Sequence, residues 1–446
     1  MSYWLDGDGR TVGVVGLGLS GRAAAALLRR RGFTVIGIDR SVQREPCPDC
    51  QEVVLEGSEE LRLHRLDGLV LSPGVAPGSD LPARAVEMGI PVTGEVELAS
   101  LFAEAPVLAV TGSNGKTTTV EWLGHVLRMA GFNACVSGNM GYPFSSAVLE
   151  RADADAFVLE LSSYQLETIR TFRPRVASVL NITPDHLSRH GGMDGYRSAK
   201  ARIFMNQRPD DALVLNADDP ELVSLMGLTD GMEMYFSLRR RVDSGAFVQQ
   251  GNLCVSWDGA SSSLLPAAEL SLPGEHNTAN ALAVVAMARA FGLSGEQMLN
   301  GLRSFPGVPH RLEEIRELDG IRWINDSKST NIDSLRVALA AGSGPLILIA
   351  GGRPKEGDYG VLAGAVGRRA RTVLVIGEAA EMLRQAWSGA ATVETCPDLE
   401  RAVARASSLA RPGDAVLLSP GCASFDQYSN FEERGDHFRE LVGGLS

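Results

Sequence analysis

An apolar run, Val107–Val110, stops at Thr111-Gly112-Ser113-Asn114-Gly115-Lys116-Thr117-Thr118, and a helical pattern starts at about Lys116. No other feature narrows the fold so far. A glycine-rich turn between a buried strand and a helix belongs to parallel α/β sheets, where each strand needs a crossover helix to return. Successive N–H groups in such a turn form an anion cradle, and the helix dipole adds to it. Lys116 would reach the β and γ phosphates, and the Thr117 hydroxyl would bind Mg²⁺. The general phosphate-loop pattern wants a glycine five positions before Gly115, where this chain has Val110. The loop is therefore a shorter variant, and GTPase or ATPase assignments do not transfer to it.

The same alternation spreads over the whole chain. Thr11–Val15, Thr34–Ile38 and Leu69–Leu71 read as strands of a first unit, with a helix over Arg22–Arg31. Strands at Ala156–Leu161, Val176–Ile182 and Ala212–Asn216 extend the central unit, and Asn277–Phe291 reads as a helix. Residues 231–270 carry little helical pattern and suggest a small antiparallel excursion. Beyond Pro306, Gly307 and Pro309, Trp323–Asn325, Leu346–Ala350, Thr372–Ile376 and Ala415–Leu418 repeat the pattern. The expectation is an α/β protein of three domains, each on a mainly parallel sheet with flanking helices, at residues 1–98, 99–303 and 304–446. A chain of 446 residues agrees, since single cores stop growing at about 250–300 residues.

Charge and composition exclude other classes. The formal net charge is -12 with no run of Lys and Arg, so nucleic acid is not an expected partner. No apolar run reaches the roughly 18 residues of a membrane span, and the polar start, Met1–Arg10, lacks a signal peptide's pattern, so the cytoplasm is expected. Six cysteines do not make a disulfide framework, and Cys47 and Cys50 read as an incidental pair without a second pair of zinc ligands.

A second glycine loop, Gly16-Leu17-Gly18-Leu19-Ser20-Gly21, lies between strand and helix and is followed by Asp39 at the next strand's end. This is dinucleotide-fold spacing. It serves NAD, another nucleotide or packing alone. Glu160, ending an apolar run, is a candidate Mg²⁺ ligand or a helix-capping carboxylate. Asp185-His186 is a metal or substrate candidate at the same sheet edge, or His186 is a plain hydrogen-bonding histidine. Lys200, read alone, is a solvated lysine. An NAD oxidoreductase would leave Lys116, Glu160 and Lys200 without work, and a non-enzymatic nucleotide-binding regulator needs no acidic metal ligand.

Taken together, Thr111–Thr118, Glu160-Leu161-Ser162-Ser163-Tyr164-Gln165, Asn181-Ile182-Thr183-Pro184-Asp185-His186 and the Lys200 segment resemble the Mur ligase family of bacterial cell-wall enzymes. Asn325-Asp326-Ser327-Lys328-Ser329-Thr330-Asn331 and Ser419–Tyr428 resemble its D-glutamate-adding branch. The resemblance implies a first domain that binds a UDP-linked substrate, a central one that binds ATP and a last one that carries the amino acid, with closure on binding. The implied substrates are ATP, D-glutamate and UDP-N-acetylmuramoyl-L-alanine, handled by a monomer that uses two Mg²⁺ ions. The implied catalytic residues are Lys116, His186, Lys200 and Lys328. Gly112, Ser113, Asn114, Gly115, Lys116, Thr117, Thr118, Asn277, Asn280, Arg311 and Asp326 would bind ATP. Leu19, Ser20, Asp39, Asn139, Ser162, Gln165, Thr330, Lys355, Ser424 and Phe431 would hold the other substrates. Metal would fall to Thr117, Glu160, His186 and Lys200, the last as a carbamylated lysine.

Overall fold

The structure, a computed structural model, describes residues 9–41, 46–58, 61–139, 141–185, 187–341, 344–355 and 357–445. His186 therefore lies outside the described residues. Three sheets carry the chain, grouped into two compact units, residues 1–306 and 307–446.

The first unit holds two sheets. One has five parallel strands in the order Glu52–Leu55, Thr34–Asp39, Thr11–Val15, Gly68–Leu71, Val92–Gly94. The other has nine, and its centre is Val107–Thr111, flanked by Val176–Val179 and Ala156–Glu160, with Ala134–Gly138 beyond the latter at the edge. These central strands are buried along their length, the pattern of a parallel sheet covered on both faces. Residues 231–270 continue this sheet rather than leaving it. Met232–Ser237 and Gly245–Gln249 add in parallel, and only the last pairings, through Asn252–Trp257 to Ala260–Pro266, are antiparallel.

Register decides where the chemistry falls. Val110 pairs with Glu160, and Gly138 pairs with Glu160 from the other side. Three neighbouring strand ends thus open at one edge, where α/β sheets take their ligands. The expected strand Val176–Ile182 ends early, at Val179, because residues 180–183 turn to grip the phosphate loop. The expected helix over Asn277–Phe291 begins at Glu275 and packs against helix Lys116–Met129.

The second unit has one sheet, ordered Glu313–Leu318, Ile321–Asn325, Ala415–Leu418, Leu346–Gly351, Ala370–Ile376, Thr392–Thr395, parallel apart from the first pairing. Among the described residues, no helix is long and apolar enough to cross a membrane. The thiols of Cys47 and Cys50 lie 2.9 Å apart, and no cluster of three or more His, Cys, Asp or Glu that could hold a metal occurs among the described residues.

Candidate active site

The phosphate loop is shaped by its glycines. Gly115 sits at φ 82° and Gly112 at φ 153°, both outside the range side chains favour. A Cβ on Gly115 would lie 2.5 Å from Asn280 Oδ1, so Asn280 is packed directly on the turn. Helix Lys116–Met129 then starts with no side-chain cap, leaving its first-turn N–H groups for an anion.

The loop's other wall comes from the turn after Val179. Asn181 accepts from Ser113 N at 3.0 Å through its carbonyl and from Asn114 N at 2.8 Å through Oδ1, and its own amide donates to Asn114 O at 3.0 Å. Ser113 Oγ is 3.0 Å from Thr183 O, 2.9 Å from Thr183 N and 3.1 Å from Tyr196 Oη. Asn181, Thr183 and Tyr196 all stood in recognisable segments, but single-residue reading gave them no part. A strand reading that ran to Ile182 hid the turn.

Thr117 and Glu160 meet as the register requires. The Thr117 hydroxyl donates to Glu160 Oε2 at 2.7 Å, and Asn139 Nδ2 donates to Oε1 at 3.0 Å. Glu160 is 4% exposed. A hydroxyl and a carboxylate are hard oxygen donors. Mg²⁺ takes few protein ligands and completes its shell from phosphate and water, so this pair fits it. The helix-capping alternative for Glu160 finds no support, since both oxygens go to side chains of the loop edge.

Two lysines converge on the same place. Lys116 Nζ donates to Gly112 O at 2.8 Å and Ser113 O at 2.9 Å, and Lys200 Nζ donates to Gly112 O at 2.8 Å. Lys200 is not the solvated lysine its local sequence suggests. It is 1% exposed, with its ammonium nitrogen 4.5 Å from the centre of the Tyr196 ring. Burial, with Lys116 adding to it, lowers its pKa from 10.5 to about 6, against the opposing pull of Asp185 and Glu160.

Ser162 and Gln165 cap their own helix, Ser163–Leu166, each satisfying the other's backbone N–H. Asn277 Nδ2 donates to Pro273 O at 2.9 Å at the start of its helix, and Thr118 is buried in the first turn after the loop. In the first sheet, Asp39 Oδ2 accepts from Leu17 N at 2.7 Å and Oδ1 from Ser41 N at 3.1 Å. Ser72 Oγ donates to Gly16 O at 2.5 Å. A Cβ on Gly21 would lie 1.9 Å from Gly16 O, so the GxGxxG turn is tight for steric reasons. Leu19 stands 61% exposed beside the half-buried Ser20.

The second unit gathers its own set. Asp326, just past strand Ile321–Asn325, accepts from Ser419 Oγ at 2.7 Å and Leu312 N at 3.2 Å. Burial pushes its pKa up to about 7, against the Ser419 hydrogen bond and the Arg311 charge. Lys328 Nζ lies 5.3 Å from the Phe431 ring centre, and Lys355 Nζ is 3.5 Å from Thr330 Oγ1. Ser424 is buried, its carbonyl accepting from Gln427 N and Tyr428 N. Arg434, 1% exposed, knits the two motif segments by donating to Ser327 O, Cys422 O and Ala423 O. As one of two arginines on the helix Phe431–Gly443, it gave no sequence signal of this.

The geometry is that of an α/β enzyme fold with a phosphate loop flanked by hard oxygen donors, and comparison with known proteins gives it a family. Residues 110–288 match the Mur ligase middle domain and residues 310–422 match the Mur ligase glutamate ligase domain. The chain belongs to the Mur ligase family. Two full-length relatives are UDP-N-acetylmuramoylalanine–D-glutamate ligases. That of Pelotomaculum thermopropionicum is 42% identical over 97% of each chain, and that of Myxococcus xanthus is 42% identical over 98% of this chain and 99% of its own. Among solved structures, a pseudomurein peptide ligase type C from Methanothermus fervidus superposes with a TM-score of 0.61 at 19% identity, covering 98% of this chain and 100% of its own. MurF from Acinetobacter baumannii gives 0.62 at 23%, covering 79% and 82%. These structures share the fold.

Proposed function

We infer that the chain is an ATP-dependent amide ligase that adds D-glutamate to UDP-N-acetylmuramoyl-L-alanine, in building the cytoplasmic precursor of peptidoglycan. Relatives of that printed activity match almost end to end. The observation that carries the chemistry is the convergence of Lys116, Thr117, Glu160 and Lys200 on the mouth of one phosphate loop.

A carboxylate does not condense with an amine at neutral pH, because oxide is a poor leaving group. A carboxylate oxygen of the alanyl group attacks the ATP γ-phosphorus, the β,γ P–O bond breaks with ADP leaving, and an acyl phosphate results. The glutamate amine then adds to the carbonyl carbon and gives up a proton to a base, and the C–O bond to phosphate breaks as the tetrahedral oxyanion collapses, releasing phosphate and the amide. The protein's task is positioning and charge neutralisation. Two unit negative charges about 4 Å apart at an effective dielectric of about 20 repel by roughly 4 kcal/mol. Lys116 opposes that at the phosphate loop, and bound Mg²⁺ would neutralise the phosphoryl oxygens. Thr117 and Glu160 are the residues to hold one ion, with His186 and a carbamylated Lys200 serving a second. Asn277, Asn280, Arg311 and Asp326 would hold the nucleoside, Leu19, Ser20 and Asp39 the uracil side, and Asn139, Ser162 and Gln165 the muramyl substrate. Thr330, Lys355, Ser424 and Phe431 would take glutamate.

Carbamylation needs a neutral amine, whose lone pair adds to the carbon of CO₂ as one N–H proton leaves. An ordinary lysine is neutral in only about 1 of 2,500 molecules at pH 7. With a pKa of about 6, Lys200 is mostly neutral there. The test of function is phosphate release from ATP with UDP-N-acetylmuramoyl-L-alanine and a panel of D- and L-amino acids. D-glutamate should stand alone in promoting release; equal release with any other amino acid, or with none, contradicts the reading.

A further inference from the structure

Next to the phosphate loop, a hydroxyl, an imidazole and a carboxylate line up in a place that none of the roles above uses. His190, ending the short helix Leu187–His190, has Nε2 3.0 Å from Ser163 Oγ and Nδ1 3.4 Å from Glu167 Oε1. Arg189 grips the same carboxylate, with Nε 3.1 Å from Oε1 and Nη2 2.6 Å from Oε2. The carboxylate charge beside Nδ1 favours the proton on that nitrogen, which leaves Nε2 to accept from the Ser163 hydroxyl. The order resembles a nucleophilic triad, but Ser163 is 3% exposed and the imidazole 4%, so no substrate reaches the hydroxyl.

The ring's next contact gives the arrangement a use. Its centre lies 5.4 Å from that of Tyr196, tilted by 45°. Tyr196 in turn forms the floor under Lys200 Nζ, at 4.5 Å, and its hydroxyl is 3.1 Å from Ser113 Oγ in the phosphate loop. We propose that His190 is a positioning residue: fixed at both nitrogens by Glu167 and Ser163, its ring sets the plane of Tyr196 and thereby holds Lys200 in place for carbamylation. The proposal rests on the reading of Lys200 as the carbamylated residue. Outer contacts of this kind act on the group that meets the metal without touching substrate.

The experiment uses the full-length protein, ¹³C-bicarbonate and two readouts, the carbamate resonance and phosphate release. In His190→Ala, the bicarbonate needed for half-maximal carbamate should rise about tenfold, and kcat at ambient bicarbonate should fall about 10- to 100-fold. Raising bicarbonate should restore kcat, while KM for ATP stays within about twofold because the loop itself is intact. A general loss of structure would not be repaired by bicarbonate. If His190→Ala does not fold, His190→Gln is read the same way: a raised bicarbonate requirement supports the proposal, and a wild-type requirement overturns it. A wild-type carbamate signal with an unchanged requirement in the variant overturns the His190 role alone. No carbamate signal in the wild-type protein overturns the Lys200 reading, and the proposal with it.

Discussion

Lys200 and Asp326 are both buried ionisable groups, and their displaced pKa values make opposite demands on stability. Lys200 titrates at about 6 in the folded chain, below its ordinary 10.5. Between those values the unfolded chain holds a proton that the folded one has shed, so this group makes stability rise with pH from about 6 to 10.5. Lys200→Met should remove that part of the rise, read as the melting midpoint against pH for both proteins; parallel curves would contradict it. The same variant should lose turnover, as should Lys200→Ala, with partial recovery in Lys200→Ala on adding bicarbonate or a short carboxylic acid. Asp326 titrates at about 7, above its ordinary 3.8, so its contribution is present at low pH and is lost as pH rises towards 7. Asp326→Asn, whose Oδ1 can still accept from Leu312 N while its amide donates to the Ser419 hydroxyl oxygen, should gain stability relative to wild type as pH climbs from 4 to 8. A constant difference across that range would count against the burial argument.

Strand ends and turns, more than individual side chains, explain how much of the site could be read in advance. Lys116, Thr117 and Glu160 were legible because the Gly-Lys-Thr turn and an acid closing an apolar run are local signals. Their meeting needed only the parallel pairing of Val110 with Glu160. Lys200 was legible only through resemblance, since its burial depends on Tyr196 and a loop carbonyl 88 positions away. Asn181 and Thr183 were missed because a β-rich run does not announce where its last residues leave the sheet. Arg434 was missed because all but one of its acceptors are backbone carbonyls, which sequence does not distinguish. The loop's shape carries its own prediction. Gly115→Ala would place a side chain at φ 82°, a left-handed conformation costing about 1–2 kcal/mol, and 2.5 Å from Asn280 Oδ1. ATP should then protect the variant against heating far less than it protects wild type. Equal protection would show that this turn does not cradle the nucleotide.

At the scale of the whole molecule, three mainly parallel sheets were foreseeable from repeated strand–helix alternation. That the first two sheets pack into one compact unit was not, because packing between sheets is a tertiary property. Buried Glu97 illustrates it: from a helix after the first sheet, its carboxylate accepts from the N–H groups of Arg170, Thr171 and Phe172, in the loop that leads into strand Val176–Val179 of the second. The account of function reduces to one event at the edge of the nine-stranded sheet, the passage of a phosphoryl group from ATP to a carboxylate oxygen. Its direct measurement is isotope transfer. UDP-N-acetylmuramoyl-L-alanine labelled with ¹⁸O in the alanyl carboxylate, turned over with ATP and D-glutamate, should release phosphate carrying one ¹⁸O for every amide formed; product formed with unlabelled phosphate would contradict the account.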